Sequence, residues 1–450
     1  MIVEHDVLVL GAGNAGLAAA RVARAAGQRV LVVEARDVGG VCPLRGCVPK
    51  KVLVAAAQTL DAIARAGTHE ISVGRPALDW ARLIARERTF VEGVPQELEK
   101  SLANRGIALL HGRARFTGRR EVAVGSDRHA ARKIVVATGS TPRSLPIPGA
   151  EHLVTSDDLL ELPELPESIT FVGAGVIAFE LAHVLARAGS RVTLLEVAPR
   201  VLSNLDPDAA RRLAALTREL GVRIETGVAI ERIEKRGDGC VVRYRAGGED
   251  STVRSQLVVN GAGRVADLAG LQLPVAGISL DSGRVELDAY LRSVENPDVF
   301  FAGDAIPGRP QLSPVATYEG RVVGHNLTHE ALEPVRYGHQ PAAVYTVPAL
   351  ATVGWSEDAA RDAGLAFDVV AHDMTSWRSA RTYGETVAWA KVLVEKGSGR
   401  ILGAHLLGHG AEETIHTFAL AVEKGIAASE IAERVYAYPT FHADLKHLVS

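Results

Sequence analysis

Residues 6–34 read DVLVLGAGNAGLAAARVARAAGQRVLVVE. An apolar run stops at a glycine cluster, an alanine-rich stretch of helical character follows, and a second apolar run closes on an acidic residue. The pattern is strand, tight turn, helix, strand. Gly11 permits the turn, Gly13 lets the backbone approach a pyrophosphate, and Gly16 holds the third position of the fingerprint. The helix start offers free N–H groups and a positive dipole end to phosphates. Glu34 is placed to accept hydrogen bonds from ribose hydroxyls. One such glycine match alone is weak, but a strand before it and a helix after it supply the context the motif requires.

The plan recurs at residues 169–196, ITFVGAGVIAFELAHVLARAGSRVTLLE. Gly173 and Gly175 repeat the first two glycines, Ala178 stands third, and Glu196 closes the unit at the same distance as Glu34 does. Two dinucleotide sites imply two different dinucleotides, one held and one exchanged. The Glu196 carboxylate suits a free 2′-OH and repels a 2′-phosphate, which favours NAD(H). Arg200, four residues on, keeps NADP(H) possible.

The 450 residues carry a formal net charge of -3, with 47% hydrophobic and 23% charged residues. This chain is long enough for two or more domains with real cores. It has no basic excess for nucleic acid and no apolar run long enough to span a bilayer. The start, MIVEHDVLVLGAG, lacks the cationic region of a signal peptide, so a cytoplasmic location is expected. Three cysteines make no disulfide scaffold.

Two of the three, Cys42 and Cys47, lie together in GGVCPLRGCVPKK. Zinc sites favour closer cysteine spacing and four ligands, and the third cysteine, Cys240, is remote; no metal is expected. Pro43, Arg45 and Gly46 are poor company for inert core cysteines. In a regular helix, residues five apart differ by about 140° and about 7.5 Å, beyond the reach of a disulfide, whose Cα atoms lie under about 7 Å apart. The helix must therefore start irregularly, and Pro43 and Gly46 supply the means. A thiolate in the first turn gains from the dipole. The pair reads as a redox disulfide.

GGVCPLRGCVPKK, set between two dinucleotide fingerprints and followed by VFFAGDAI (299–306), resembles the flavoprotein disulfide reductases, the superfamily of glutathione reductase, dihydrolipoamide dehydrogenase and mercuric reductase. The resemblance implies an α/β fold with two Rossmann-like dinucleotide-binding domains and a C-terminal α+β dimerisation domain. The expected limits are 1–148 and 263–339 for the FAD-binding domain, 149–262 for the NAD(P)H-binding domain and 340–450 for dimerisation. It implies FAD in the first site, contacted also by Gly139, Gly303 and Asp304, and NAD(H) in the second. Cys47 would face the flavin and Cys42 would attack the substrate, while Lys51 and Glu180 would pair beside the reactive flavin nitrogen. The helix beginning with Ser313 as cap and Pro314 as first residue would point its positive end at the flavin. Members are homodimers acting on disulfides.

One departure stands out. The family's C-terminal histidine, general base to the attacking cysteine, is replaced in YAYPTFHADLKHL by Tyr438, and Ala443 stands where its glutamate partner belongs, with Asp444 next. A tyrosine of pKa about 10 is a poor base near neutrality. Tyr438 is open to a donor role toward the leaving thiolate; His442 or His447 is open to taking over; or the acceptor needs little acid–base help. His405, His409, Glu412, Glu413 and His416 in HLLGHGAEETIH invite a metal, but Gly408 and Gly410 break any single helix face, so a structural or interface role is expected. Arg378 and Arg381 in SWRSART are expected on a solvated surface, with binding of an anionic disulfide as the alternative. The expected activity is transfer of electrons from NADH or NADPH through FAD and Cys42–Cys47 to a disulfide. Reduction of a quinone or metal ion, or redox sensing with little turnover, are the alternatives.

Overall fold

Nine residues of apolar-rich chain, Ile2–Leu10, form the central strand of a seven-stranded sheet. They pair in parallel with Val30–Glu34 on one side and Asp127–Val136 on the other. Ala108–His111 and Val299–Phe301 extend the parallel part, and Ala114–Gly118 and Glu121–Val124 add an antiparallel meander. Strands covered on both faces must be apolar throughout, and Val7 to Leu10 and Val30 to Val33 are accordingly buried. A computed structural model describes residues 2–74 and 76–450. The chain divides into two units. The first holds the residues up to Lys50, Arg86–Arg143 and Arg264–Arg336; the second holds Lys51–Ala85, Ser144–Gly263 and Tyr337–Ser450.

In the first unit, helix Asn14–Ala25 buries Ala15, Gly16, Ala18, Ala19, Ala20 and Ala23. Those small residues admit helix Ser313–Asn326 at backbone contact: a Cβ on Gly320 would stand 2.2 Å from the Ala15 carbonyl oxygen.

In the second unit, Ser168–Val172 is flanked in parallel by Arg191–Glu196 and Leu257–Asn260, with Arg223–Thr226 beyond. Ala229–Arg236, Gly239–Ala246 and Glu249–Ser255 form a separate antiparallel sheet. The C-terminal part is a five-stranded antiparallel sheet, in the order Ala342–Val344, Ala349–Gly354, Ile401–Gly408, Trp389–Glu395, Phe367–Asp373. Helix Ala411–Lys424 covers it through Ile415, Phe418 and Ala421. Residues 51–85, expected with the first domain, pack Leu53, Val54, Trp80 and Leu83 into one core with Phe171, Phe179, Trp389 and Leu407. Among the described residues no helix is long and apolar enough to cross a membrane.

Candidate active site

The two glycine turns are built alike. Gly11 has φ +107 and Gly173 φ +105, a region that favours glycine. A Cβ on Gly11 would lie 2.2 Å from the Ala137 carbonyl oxygen, and one on Gly173 would lie 2.4 Å from that of Gly261. Gly16 admits no side chain either, since its Cβ would sit 1.9 Å from the Gly11 oxygen. The carboxylate of Glu34 accepts from Ala12 N–H at 2.7 Å and Arg36 N–H at 2.8 Å. Glu196 accepts from Ala174 N–H at 2.7 Å and Ala198 N–H at 2.9 Å. Each carboxylate thus clamps its own turn with one lone pair per oxygen and keeps others for a ribose. Helices Asn14–Ala25 and Val176–Ala188 have no acidic residue in the first turn, so nothing there repels a phosphate. Both turns fit a dinucleotide.

Arg200 is anchored locally: Nη1 donates to the Leu205 carbonyl at 3.0 Å and Nη2 to the Ser203 carbonyl at 2.8 Å. In the first unit, Gly139 has φ +74 and Gly303 φ +70. Gly303 N–H donates to buried Glu319 at 2.6 Å. Asp304 accepts from the Ser140 hydroxyl at 3.0 Å, and Arg264 donates to the Ser140 carbonyl at 2.6 Å. Burial pushes the Asp304 carboxyl up, against the pull of Ser140 and Arg264.

The cysteine pair lies on an interrupted helix. Val41–Arg45 makes one turn, Gly46 leaves helical geometry at φ -150 and ψ -108, and Cys47–Ala64 begins anew. That is the irregular start expected from Pro43 and Gly46. A Cβ on Gly40 would come within 2.8 Å of the Gly13 Cα, so the double glycine lets the cysteine segment touch the first fingerprint. Both thiols are free, Cys47 the more exposed. The Cys47 thiol donates to Cys42, and Ser313, Asn14 and the Lys50 ammonium add to this, so Cys42 falls to about 6 despite its burial. Cys47 rises correspondingly, because it holds the shared proton. Ser313 is the first helical residue, with Leu312 as cap, not the cap itself as expected. Its hydroxyl takes a hydrogen bond from Asn14 instead.

Lys50 is the lysine whose charge reaches Cys42, whereas the Lys51 ammonium lies 3.9 Å from Glu412 and 4.2 Å above the Tyr345 ring. Successive residues on a helix point about 100° apart, which separates the two. Glu180, 5% exposed, accepts from Tyr345 N–H at 2.8 Å, so Lys51 and Glu180 meet the same tyrosine.

Tyr438 is 66% exposed, and its hydroxyl accepts from Arg378 at 2.8 Å. Arg378 therefore lies on exposed surface but is tied to the altered motif. Asp444 is engaged by Ser379. His442 meets the Thr417 hydroxyl at 2.7 Å, and His447 packs edge-on against Trp377. His405 is buried between the Thr352 hydroxyl at 2.6 Å and the Trp355 carbonyl at 3.1 Å. Among the described residues no three His, Cys, Asp or Glu side chains gather as for a metal. Ser140, Arg264 and Glu319 belong to no motif of the sequence, whereas Asn14 lies inside the first fingerprint and Lys50 three residues after Cys47.

The family model described as pyridine nucleotide-disulphide oxidoreductase matches residues 5–320, and that of the family's dimerisation domain matches 340–449. The chain is 31% identical to dihydrolipoyl dehydrogenase of Geobacillus stearothermophilus, covering 97% of this chain and 94% of that one. It is 30% identical to glutathione reductase of Burkholderia cepacia over 97% and 96%, and 31% identical to mercuric reductase of Streptomyces lividans over 98% and 95%. Among solved structures, the Cu(II) complex of the HOCl-induced flavoprotein disulfide reductase RclA from Escherichia coli superposes with a TM-score of 0.88 at 27% identity, covering 99% of both chains.

Proposed function

Since this chain belongs to the pyridine nucleotide-disulphide oxidoreductase family, we propose that it spends NADH to reduce a disulfide at Cys42. It is an FAD-dependent oxidoreductase that uses a pyridine nucleotide. The chemistry supplied by bound FAD is the relay of an electron pair from the nicotinamide to the cysteines. Gly11, Gly13, Gly16, Glu34, Gly139, Gly303 and Asp304 would hold it, and Gly173, Gly175 and Glu196 the nicotinamide dinucleotide. Two such chains would form a homodimer through residues 340–449.

The observation that carries the disulfide reading is the cysteine pair itself. Cys42, held near pKa 6 by the proton Cys47 donates, is a thiolate at neutral pH and so a nucleophile. It attacks one sulfur of the acceptor, the other leaves as thiolate, and Cys47 resolves the mixed disulfide. Support for NADH comes from Glu196, oriented by Ala174 and Ala198, and from Arg200, both of whose terminal nitrogens donate to backbone carbonyls. With NADH and NADPH compared against a panel of disulfides, kcat/KM should favour NADH, and Cys42→Ser should abolish disulfide turnover. Disulfide turnover that persists in Cys42→Ser refutes the assignment.

A second acceptor class has its own observation. Tyr438 replaces the family base, and a thiophilic metal ion needs no proton when reduced. RclA was solved with Cu(II), and mercuric reductases are among the relatives. Metal-dependent NADH oxidation that exceeds every disulfide in kcat/KM would favour that class.

A further inference from the structure

The short helix Arg378–Thr382 is held from one side only. Trp377, just before it, meets the rings of His372 at 5.5 Å and His447 at 5.9 Å. Ala380 is buried, and Ser379 binds Asp444. Arg378, Arg381 and Thr382 take the outer side, since residues three and four apart share a helix face, and all three are exposed. With Ser376 they line an open cavity of about 500 Å³ to which no carboxylate and no hydrocarbon side chain contributes.

Two guanidinium groups on one helix face repel each other, and nothing of opposite sign answers them. Arg361 and Arg400, in the same C-terminal part, pair with Glu357 and Glu395. Among the described residues neither Arg378 nor Arg381 has such a partner. The acids near them in the chain are engaged elsewhere: Asp373 by Arg212 at 3.5 Å, Glu385 by Arg65 at 3.1 Å, and Asp444 by Ser379. Arg378 is nonetheless fixed. Its Nη1 donates to the Tyr438 hydroxyl at 2.8 Å, a neutral acceptor that anchors the group without cancelling its charge. A histidine at that position, once protonated, would add a third positive charge; tyrosine gives the anchor without it. The Thr382 hydroxyl donates to the Arg378 carbonyl at 2.8 Å, which leaves the Ser376 hydroxyl as the neutral donor of the cavity.

We propose that this cavity binds an oxygen dianion, a phosphate group or a dicarboxylate, bridged between the Arg378 and Arg381 guanidinium groups and completed by the Ser376 hydroxyl. Each planar fork presents parallel N–H donors that match two oxygens of a carboxylate or phosphate. Two forks therefore call for two negative charges, and a bridging dianion removes the repulsion the helix otherwise bears. Side chains make the site, and the helix end takes no part. The site goes beyond the disulfide chemistry, and all its residues belong to the second unit.

The test is a calorimetric titration of FAD-loaded, full-length protein at constant ionic strength, with NAD⁺ present to fill the second dinucleotide turn. The titrants are inorganic phosphate, glutarate and acetate. A dianion should saturate one site per chain with a Kd of about 1 mM, the modest strength of exposed charge pairs, and acetate should bind at least about 10-fold more weakly. Arg378→Gln and Arg381→Gln should each weaken dianion binding by about 10-fold or more, the loss of hydrogen bonds to a charged group. Melting without ligand checks that both variants are folded. Preference for phosphate assigns a phosphate-bearing ligand and preference for glutarate a dicarboxylate; either supports the site. Affinity unchanged in both variants would put the anion elsewhere and overturn the proposal. So would acetate binding as tightly as the dianions, or no saturable binding to wild type, the result if a second copy of the chain covers this face.

Discussion

At the scale of single residues, the site turns on where protons sit. Cys42 is lowered to about 6, first by the hydrogen bond from Cys47 and then by Ser313, Asn14 and Lys50. The thiolate is the reactive form, so alkylation of the reduced protein by iodoacetamide should rise through a midpoint near pH 6, not near the ordinary value. Removing the proton donor, in Cys47→Ala, should move that midpoint upward most, and Ser313→Ala less; a pH series of alkylation rates measures both. The cysteines, both glutamates and the fingerprint glycines were legible in the sequence, because each works within a few residues of its partners. Asn14 and Ser313 were not, since they lie far apart in the chain and meet only through packing. The same holds for His409 Nδ1 and Glu385 Oε1, 3.1 Å apart although two strands and a turn separate them in the chain. Tyr438 was legible as a loss, whereas what surrounds it was not.

At the scale of elements, the first unit depends on backbone-to-backbone approaches that exclude even a methyl group. Gly16→Ala would place its Cβ 1.9 Å from the Gly11 oxygen, at the turn itself. Loss of the bound flavin's visible absorbance on gel filtration is expected. Gly320→Ala drives helix Ser313–Asn326 away from Ala15, and should cost about 1–3 kcal/mol as overpacking, read as a lower denaturation midpoint. Alternation of strand and helix in the sequence identified both βαβ units, and WAKVLVEKGSGRILGAHLLG gave the hairpin of Trp389–Glu395 and Ile401–Gly408. The destination of helix Cys47–Ala64 was beyond such a reading. Its apolar face at Leu53, Val54 and Ala57 shows that it packs, but not that its partners are Phe171, Trp80 and Trp389.

At the scale of the whole molecule, one buried ion cluster ties the C-terminal sheet to the rest of the second unit. Lys391 Nζ lies 3.1 Å from Asp206, 2.7 Å from Asp208 and 2.5 Å from Glu357. Burial pushes Asp206 up, but His405 and Lys391 outweigh it and hold it low; Lys391 itself holds Asp208 low. Carboxyls depressed on folding stabilise above their unfolded pKa of about 4 and lose that contribution as pH falls through the folded value. The thermal midpoint should therefore drop below about pH 4. Lys391→Met strands buried Asp206 and should cost about 3–5 kcal/mol at neutral pH, with a flatter acid limb in the same melts. For the same reason a chain ending at residue 339 should aggregate instead of folding, since Trp389 and Leu407 would leave the core they share with Phe171; solubility and circular dichroism of the truncation decide this. Glu34 and Glu196 carry a last consequence. Each clasp is already closed by its own backbone hydrogen bonds, so neither turn must be ordered when a dinucleotide arrives, and the two are equally prepared. Any difference between them is then written elsewhere. Gly40 and Gly303 crowd the first helix start, at Gly13 and Ala15, while beside the second only Gly261 comes close among the described glycines. The two turns thus share one lock and differ in how closely the backbone crowds the helix start behind it.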